Sequence, residues 1–442
     1  MTAEIICVGT EILLGNIVNT NSAYLAEQLA MLGISCYYQS VVGDNRERML
    51  EVIGCAAGRS DIVILSGGLG PTADDMTKEV VAELCNRKLE ENKQAMQDLK
   101  AYFKQRGIEM TENNKKQALV PEGATAMSNP NGTAPGILVE HEMQTEGAEP
   151  KLTTFILLPG PPMELQPMFT DSVVPYLQKR TGEVICSKTI KMAGVSESKV
   201  ETDIKDLIDA QTNPTIATYA KTGEVHIRVT AGADSKKEAD KLLKPVVKDL
   251  KARFGKSIYT TEDGVTLEKA VADLLSAGNL TIGIAESCTG GMIAARLVNV
   301  PGVSEVFKTG VVTYANKAKR KLLNVKKGTL QKYGAVSEQT AEEMVKGCMT
   351  LTGADVTVAV TGIAGPDGGT EEKPAGLVYI ACDIKGNIRI VRYQFKGSRS
   401  KVRENATMAA LNLVRECVME YLGKVTFGKD AEGTAKRKEK KK

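Results

Sequence analysis

Histidine is almost absent: His141 and His226 are the only two in 442 residues. His141 lies in the polar stretch Glu140-His141-Glu142-Met143-Gln144, read as a loop. His226 alternates within Glu224-Val225-His226-Ile227-Arg228-Val229 and reads as an ordinary strand residue. A Ser-His-Asp triad and a histidine-rich metal site are thereby excluded, so any hydrolysis falls to lysine, carboxylates, hydroxyls or a carboxylate-bound metal. Paired cysteines are lacking too: the nine stand singly at 7, 36, 55, 85, 186, 288, 348, 382 and 417, with no C-x-x-C. That excludes a zinc ribbon or disulfide framework and indicates reduced thiols in a cytoplasmic protein. No apolar run approaches the roughly 18 residues a membrane span needs. Glu4 and the want of a basic segment before the first short apolar run differ from a signal peptide. Neither G-x-G-x-x-G nor a Walker A motif occurs, so a dinucleotide or P-loop fold is unsupported.

What is present suffices for ordinary cores. Hydrophobic residues make up 42% of a length that suits two to four domains. The net charge is only +3, and much basic excess sits in the tail Lys436-Arg437-Lys438-Glu439-Lys440-Lys441-Lys442. With no interleaved aromatics, that tail reads as a solvated, disordered end rather than a nucleic-acid contact. Strands over 4–8, 35–42 and 61–65 alternate with helices over 21–32 and through about 57. Such alternation means β-α-β units and a mostly parallel sheet. Residues 187–192, 215–220 and 224–230 read as strands, and 198–208 and 236–253 as helices, giving a compact α+β module. From a helix over 267–277 the strand–helix alternation resumes to about 422. The expected fold class is therefore α/β: two three-layer domains with mostly parallel sheets, over 1–171 and 261–425. A small α+β domain, 172–260, joins them, and a disordered tail covers 426–442.

Glycine-rich turns follow several strands. In the first segment, Ser66-Gly67-Gly68-Leu69-Gly70-Pro71-Thr72-Ala73-Asp74-Asp75-Met76-Thr77 follows a strand. Gly67, Gly68 and Gly70 let backbone approach an anion, and Thr72 and Thr77 are candidate phosphate donors. Asp74 and Asp75 are candidate ligands of a divalent cation, or alternatively a helix N-cap and a first-turn acid. Glu11, Asp44 and Glu164 follow other strands and collect on the same edge.

In the last segment, Ala285-Glu286-Ser287-Cys288-Thr289-Gly290-Gly291 joins a strand over 280–284 to a helix over 292–298. Small hydroxyl residues and paired glycines there suit an anion cradle or a nucleophile with its oxyanion hole. Ser287 is the candidate nucleophile, with Cys288 its rival. A serine needs a base, and a desolvated lysine can serve. Lys317, Lys319 and Lys321, with Arg320, cluster after a strand over 310–313 and leave that choice open. The turn Thr361-Gly362-Ile363-Ala364-Gly365-Pro366 and the helix entrance with Arg399 and Arg403 offer further donors.

Together these motifs carry a resemblance. Gly9-Thr10-Glu11, Asn19-Thr20-Asn21, the Gly67–Thr77 turn and Pro159-Gly160-Pro161-Pro162-Met163-Glu164 resemble the molybdopterin-binding-like domain of CinA proteins. The Glu286–Gly291 turn, Pro301-Gly302-Val303-Ser304, Tyr314-Ala315-Asn316-Lys317-Ala318-Lys319, Gly334-Ala335-Val336-Ser337 and the Thr361–Pro366 turn are similar to the CinA C-terminal domain. The second resemblance implies nicotinamide mononucleotide deamidation to nicotinic acid mononucleotide and ammonia. Ser287 would be nucleophile, Lys319 its base and Tyr314 near the dyad. Glu286, Thr289, Gly290, Gly291, Thr361, Gly362 and Arg399 would hold substrate, with no cofactor. The first resemblance implies an ADP-ribose pyrophosphatase with a divalent cation, magnesium or a transition metal, on Asp74, Asp75, Glu11, Asp44 and Glu164. A homodimer is implied as well. The departures Ala315 and Ala375, where many relatives carry Ser and Val, remove no proposed catalytic group. A competence- or damage-linked interaction protein, or a molybdopterin-binding protein without hydrolase activity, is the alternative.

Overall fold

A computed structural model describes residues 1–143, 150–182 and 184–439, with side chains through residue 423 except at 181. The chain divides into two compact units, Met1–Ser187 with Thr230–Leu242, and Lys188–Val229 with Leu243–Lys442.

The first unit is built on a six-stranded sheet in the order Ser35–Val42, Thr2–Val8, Ile62–Ser66, Lys151–Leu158, Gly136–Met143, Thr125–Met127. The first four strands run parallel, Gly136–Met143 runs opposite to them, and Thr125–Met127 pairs antiparallel with Gly136–Met143. Strand periodicity sends alternate residues to opposite faces. Ile6, Val63, Leu65, Phe155 and Leu157 enter one core, while Ile5, Ile62, Ile64, Ile156 and Leu158 enter the other. Helices cover both faces, which makes three layers. The helices Thr20–Met31 and Arg46–Arg59 start where Asn19 and Asn45 accept hydrogen bonds from the amides of Ser22 and Arg48. His141 lies on the strand Gly136–Met143, not in a loop.

The second unit's sheet runs Phe307–Val312, Ile282–Glu286, Val356–Gly362, Leu377–Ile384, Asn387–Gln394. Its first two pairings are parallel and its last two antiparallel, so the sheet is evenly mixed rather than mostly parallel. The last of these pairings is a tight hairpin: Lys385 and Gly386 both take positive φ, +49° and +88°, the conformation of a two-residue turn that matches strand twist. Ile282, Ile284, Val358, Val360 and Ile380 face one core, and Ala285, Ala359 and Ala381 the other.

A smaller four-stranded sheet is ordered Thr215–Lys221, Glu224–Ala233, Val184–Ala193, Ile258–Thr260. The single helix expected over 198–208 is two short ones, Glu197–Asp203 and Lys205–Asp209, separated at Ile204. The last helix is bounded Arg399–Glu439. The tail expected to be disordered over 426–442 falls where no side chain is described, and 440–442 lie outside the described residues. No helix among the described residues is long and apolar enough to cross a membrane.

Candidate functional site

Three strand ends meet at one edge of the second unit's sheet. The Ser287 amide donates to the Val360 carbonyl at 3.0 Å, and the Thr313 amide to the Glu286 carbonyl at 2.7 Å. Residues just past the strands Ile282–Glu286, Phe307–Val312 and Val356–Gly362 therefore share the carboxyl edge, where open α/β sheets bind ligands.

The turn itself is held from inside. Glu286 is 1% exposed, and its carboxylate accepts hydrogen bonds from the amides of Gly291 (2.9 Å), Ile293 (3.1 Å) and Ala294 (3.0 Å). It thus neutralises the amino end of the helix Met292–Val298. That differs from the substrate contact expected of it, because both oxygens are consumed by backbone. The Gly290 amide is likewise taken, by the Ser287 carbonyl at 3.1 Å. Gly290 and Gly291 thus shape the turn, with φ of +63° and +98°, and do not offer free donors. The amides of Cys288 and Thr289, directly after Ser287, go to no backbone carbonyl and instead lie against the Cys288 sulfur. Thr289 is fully buried with its hydroxyl oxygen unpartnered, so its side chain does not face solvent.

Lys319 lies inside the helix Asn316–Leu323 rather than at its start or in a loop. Helical spacing puts Lys319 and Leu323 on the buried face, while Lys317, Arg320 and Lys321 point to solvent. At 1% exposure, its Nζ lies 2.8 Å from Ser287 Oγ, 2.8 Å from the Thr313 carbonyl and 3.3 Å from the Tyr314 carbonyl. Burial lowers the Lys319 ammonium to about 8. In the neutral amine, two N–H bonds can go to the two carbonyls. The lone pair is then left for the Ser287 hydroxyl.

Cys288 is a poorer nucleophile here. Burial pushes its thiol up to about 11, and its Sγ packs against Gly362. A Cβ at Gly362 would stand 2.7 Å from Val378 Cγ2, 2.8 Å from the Leu377 carbonyl and 3.1 Å from Cys288 Sγ. Gly362→Ala is expected to displace the nucleophile turn and slow turnover roughly 10- to 100-fold. Measured kcat with unchanged far-UV circular dichroism checks this.

Other expected contacts resolve differently. The Tyr314 side chain is 60% exposed and its hydroxyl accepts from Arg399 Nη2 at 2.7 Å, so only its carbonyl reaches Lys319. Arg399 also donates to the Gly365 carbonyl at 3.0 Å, tying two turns together. Thr361 is 1% exposed and donates to the Ala335 carbonyl at 2.7 Å, which removes it from the substrate face. Arg403 carries a larger role than its place at a helix entrance indicated. Its Nε and Nη2 donate to the carbonyls of Cys288 (3.1 Å) and Thr289 (2.9 Å), bracing the peptide units after the nucleophile.

The first unit has its own cavity of about 530 Å³, lined by Gly9, Glu11, Asn21, Asp44, Gly67–Gly70, Asp74, Asp75, Gly160 and Glu164. Its glycines are required. Gly68 takes φ +67°, and a Cβ there would stand 2.1 Å from Thr77 Oγ1. Gly68→Ala is expected to cost roughly 2–3 kcal/mol, read as a lower denaturation midpoint for this unit. Thr77 is fully buried and donates to the Gly67 carbonyl at 2.8 Å, so it holds the turn and offers nothing to a phosphate. The Thr72 hydroxyl is likewise engaged, with Asp75.

The acids line one cavity but do not converge. Among the described residues no three of His, Cys, Asp and Glu are placed to hold a metal ion. Asp44 accepts from the Thr10 amide (3.0 Å) and hydroxyl (2.8 Å), Asp75 from the Thr72 amide (3.0 Å), and Glu164 from Asn129 (2.7 Å). Burial raises the Glu164 carboxyl, which further weakens it as a ligand. The five carboxylates therefore do not fit the expected cation as a preformed seat. Nor is Asp74 a helix cap: the helix Thr77–Leu84 is preceded by Met76, with no side-chain cap. Asn21, of the Asn19-Thr20-Asn21 motif, adds a further polar side chain to this cavity. Its Nδ2 donates to Ser66 Oγ (2.9 Å) and the Gly160 carbonyl (2.6 Å), joining three walls of the cavity, and its Oδ1 is buried without a partner.

Comparison with known proteins matches three family profiles: "Probable molybdopterin binding domain" over residues 4–179, "Damage-inducible protein CinA KH domain" over 187–260, and "CinA C-terminal domain" over 265–418. A relative in Clostridium beijerinckii, carrying a competence-damage inducible name, is 51% identical over 420 residues, 95% of this chain and 100% of that protein. A CinA-like protein of Dictyoglomus thermophilum is 49% identical over 415 residues, 94% of this chain and 98% of its own length. Among solved structures, the competence/damage inducible protein CihA of Agrobacterium tumefaciens is 41% identical, covering 34% of this chain and 91% of its own, with a TM-score of 0.33.

Proposed function

The chain belongs to the CinA family, and we propose that its C-terminal domain hydrolyses the amide of nicotinamide mononucleotide through a Ser287–Lys319 dyad. One observation carries the reading: a buried lysine amine 2.8 Å from the hydroxyl of Ser287, at the carboxyl edge of the sheet. The neutral Lys319 amine takes the Ser287 proton as Oγ bonds to the amide carbon. The amides of Cys288 and Thr289, braced by Arg403, receive the developing oxyanion. The C–N bond then breaks, ammonia leaves with the proton from Lys319, and an ester joins the substrate to Ser287. Water cleaves that ester to nicotinic acid mononucleotide, with Lys319 again moving the proton. Arg399 is exposed beside Tyr314, and its remaining N–H groups are the donors proposed to meet the substrate phosphate. No divalent cation enters this step.

The sign of the pH dependence follows from Lys319. At pH 7 an amine with a pKa near 8 is neutral in roughly a tenth of molecules, and the fraction rises with pH. kcat/KM for ammonia release is expected to rise about tenfold per unit below 8 and to level above it. A profile flat from pH 6 to 9 would reject Lys319 as the base.

A second reading rests on the cavity of about 530 Å³ in the first unit, within the usual size for nucleotide-sized ligands. There we propose ADP-ribose cleavage to AMP and ribose 5-phosphate by water. The cation expected for it has no seat formed by the protein alone, so no step is derived through one. Product formation from ADP-ribose with and without added magnesium tests it. A homodimer is proposed with both activities, and size-exclusion chromatography checks it.

A further inference from the structure

The last helix, Arg399–Glu439, is held on two opposite sides near its start. At about 100° per residue, Arg399 and Arg403 share one side, and Lys401, Met408 and Asn412 the other. The first side serves the Ser287 turn: Arg403 holds the carbonyls of Cys288 and Thr289, and Arg399 the Tyr314 hydroxyl and the Gly365 carbonyl. The second side meets a different sheet within the same unit. Lys401 Nζ donates to Thr222 Oγ1 at 2.7 Å, and Thr222 and Gly223 form the turn between the strands Thr215–Lys221 and Glu224–Ala233. Gly223, at φ +75°, comes so close that a Cβ there would stand 2.6 Å from Met408 Cβ and 3.0 Å from Met408 Cγ. Gly194 does the same further along, where a Cβ would stand 2.7 Å from Asn412 Nδ2. Asn412 is in turn fixed by Arg415, whose Nη2 donates to its Oδ1 at 2.9 Å.

We infer that the Thr222–Gly223 turn is a positioning element of the Ser287 site, acting through the last helix on the two peptide units that Arg403 braces. Gly223 and Lys401 are its points of contact, and neither touches the reacting atoms. The contact at Gly223 is stiff because the atoms it meets stand at the root of the Met408 side chain, which is 3% exposed. A close-packed joint of that kind cannot yield by a rotamer change, so added volume moves backbone. Arg403 precedes Met408 by little more than one helical turn and moves with it. The carbonyls it holds belong to the peptide units directly after the nucleophile, where small displacements are costly. The kinetic consequence rests on the deamidase reading; the mechanical link does not. Because the braced units act on charge that develops only in the transition state, the effect falls on kcat rather than KM.

The test compares Gly223→Ala with Gly264→Ala in the full chain. Gly264 has nearly the same φ, +77°, but nothing within 4 Å of its Cβ position, so its variant carries the backbone strain without the helix contact. Two readouts are taken: kcat and KM for ammonia release from nicotinamide mononucleotide, and hydrogen–deuterium exchange of the peptide carrying the Ser287–Gly291 turn. Gly223→Ala is expected to lower kcat roughly tenfold with KM within about twofold, and to keep the rise toward pH 8. Exchange in the turn is expected to quicken roughly tenfold, with neither change in Gly264→Ala. If Gly223→Ala does not fold, Lys401→Met, which removes the bond to Thr222, is read in its place, with exchange quickened roughly two- to threefold. A wild type that releases no ammonia counts against the deamidase reading, and the exchange measurement then decides the link alone. Turn exchange no faster than in Gly264→Ala overturns the inference, as does a loss of activity that falls on KM.

Discussion

Ser287→Ala is expected to lower ammonia release from nicotinamide mononucleotide by a factor on the order of 10⁴ or more. The reason is that the variant keeps the turn but loses the atom that carries the acyl group. Glu286 still caps the helix through three amides, and Arg403 still braces the carbonyls of Cys288 and Thr289. The fold and substrate affinity are therefore expected to persist, with the loss falling on kcat. Cys288 cannot substitute, because burial holds its thiol near 11 and its sulfur is packed on Gly362. Retained turnover in Ser287→Ala together with its loss in Cys288→Ala would transfer the nucleophile to the thiol.

Lys319→Met carries the second large effect, a decrease of roughly 10²- to 10⁴-fold, the usual contribution of a positioned general base. A methionine fills much of the same buried volume without charge, so packing around Leu323 is preserved better than by alanine. The loss is expected to be accompanied by disappearance of the rise in kcat/KM toward pH 8. Lys319→Arg is expected not to restore it, since a guanidinium stays protonated throughout this range and cannot take the serine proton. Normal turnover in either variant would remove Lys319 from the reaction.

Much of this was legible along the chain because it is local. A strand, a turn of small residues and glycines, and a helix place Ser287 at a sheet edge wherever such a unit occurs. The choice among Lys317, Lys319 and Lys321 required the helix Asn316–Leu323, whose periodicity buries 319 and exposes the other two. Glu286 is ambiguous in the sequence because an acid before a helix serves either a ligand or the helix end. Its position ahead of Met292–Val298 is the one signal that favours the latter. The carboxylates of the first unit show the same limit. Glu11, Asp44, Asp75 and Glu164 do reach one cavity, but Asp44 and Asp75 are bound by threonines, Asp75's from its own loop, and Glu164 by Asn129. Contacts such as Arg403 on Cys288, or Lys401 on Thr222, join residues far apart in sequence and have no local signature.

The most direct measurement is product analysis of the full chain incubated with nicotinamide mononucleotide and a chelator. The account predicts nicotinic acid mononucleotide and ammonia in equal amounts, at a rate unaffected by the chelator. Absence of both products, under conditions where another amidase of this substrate turns over, would contradict it.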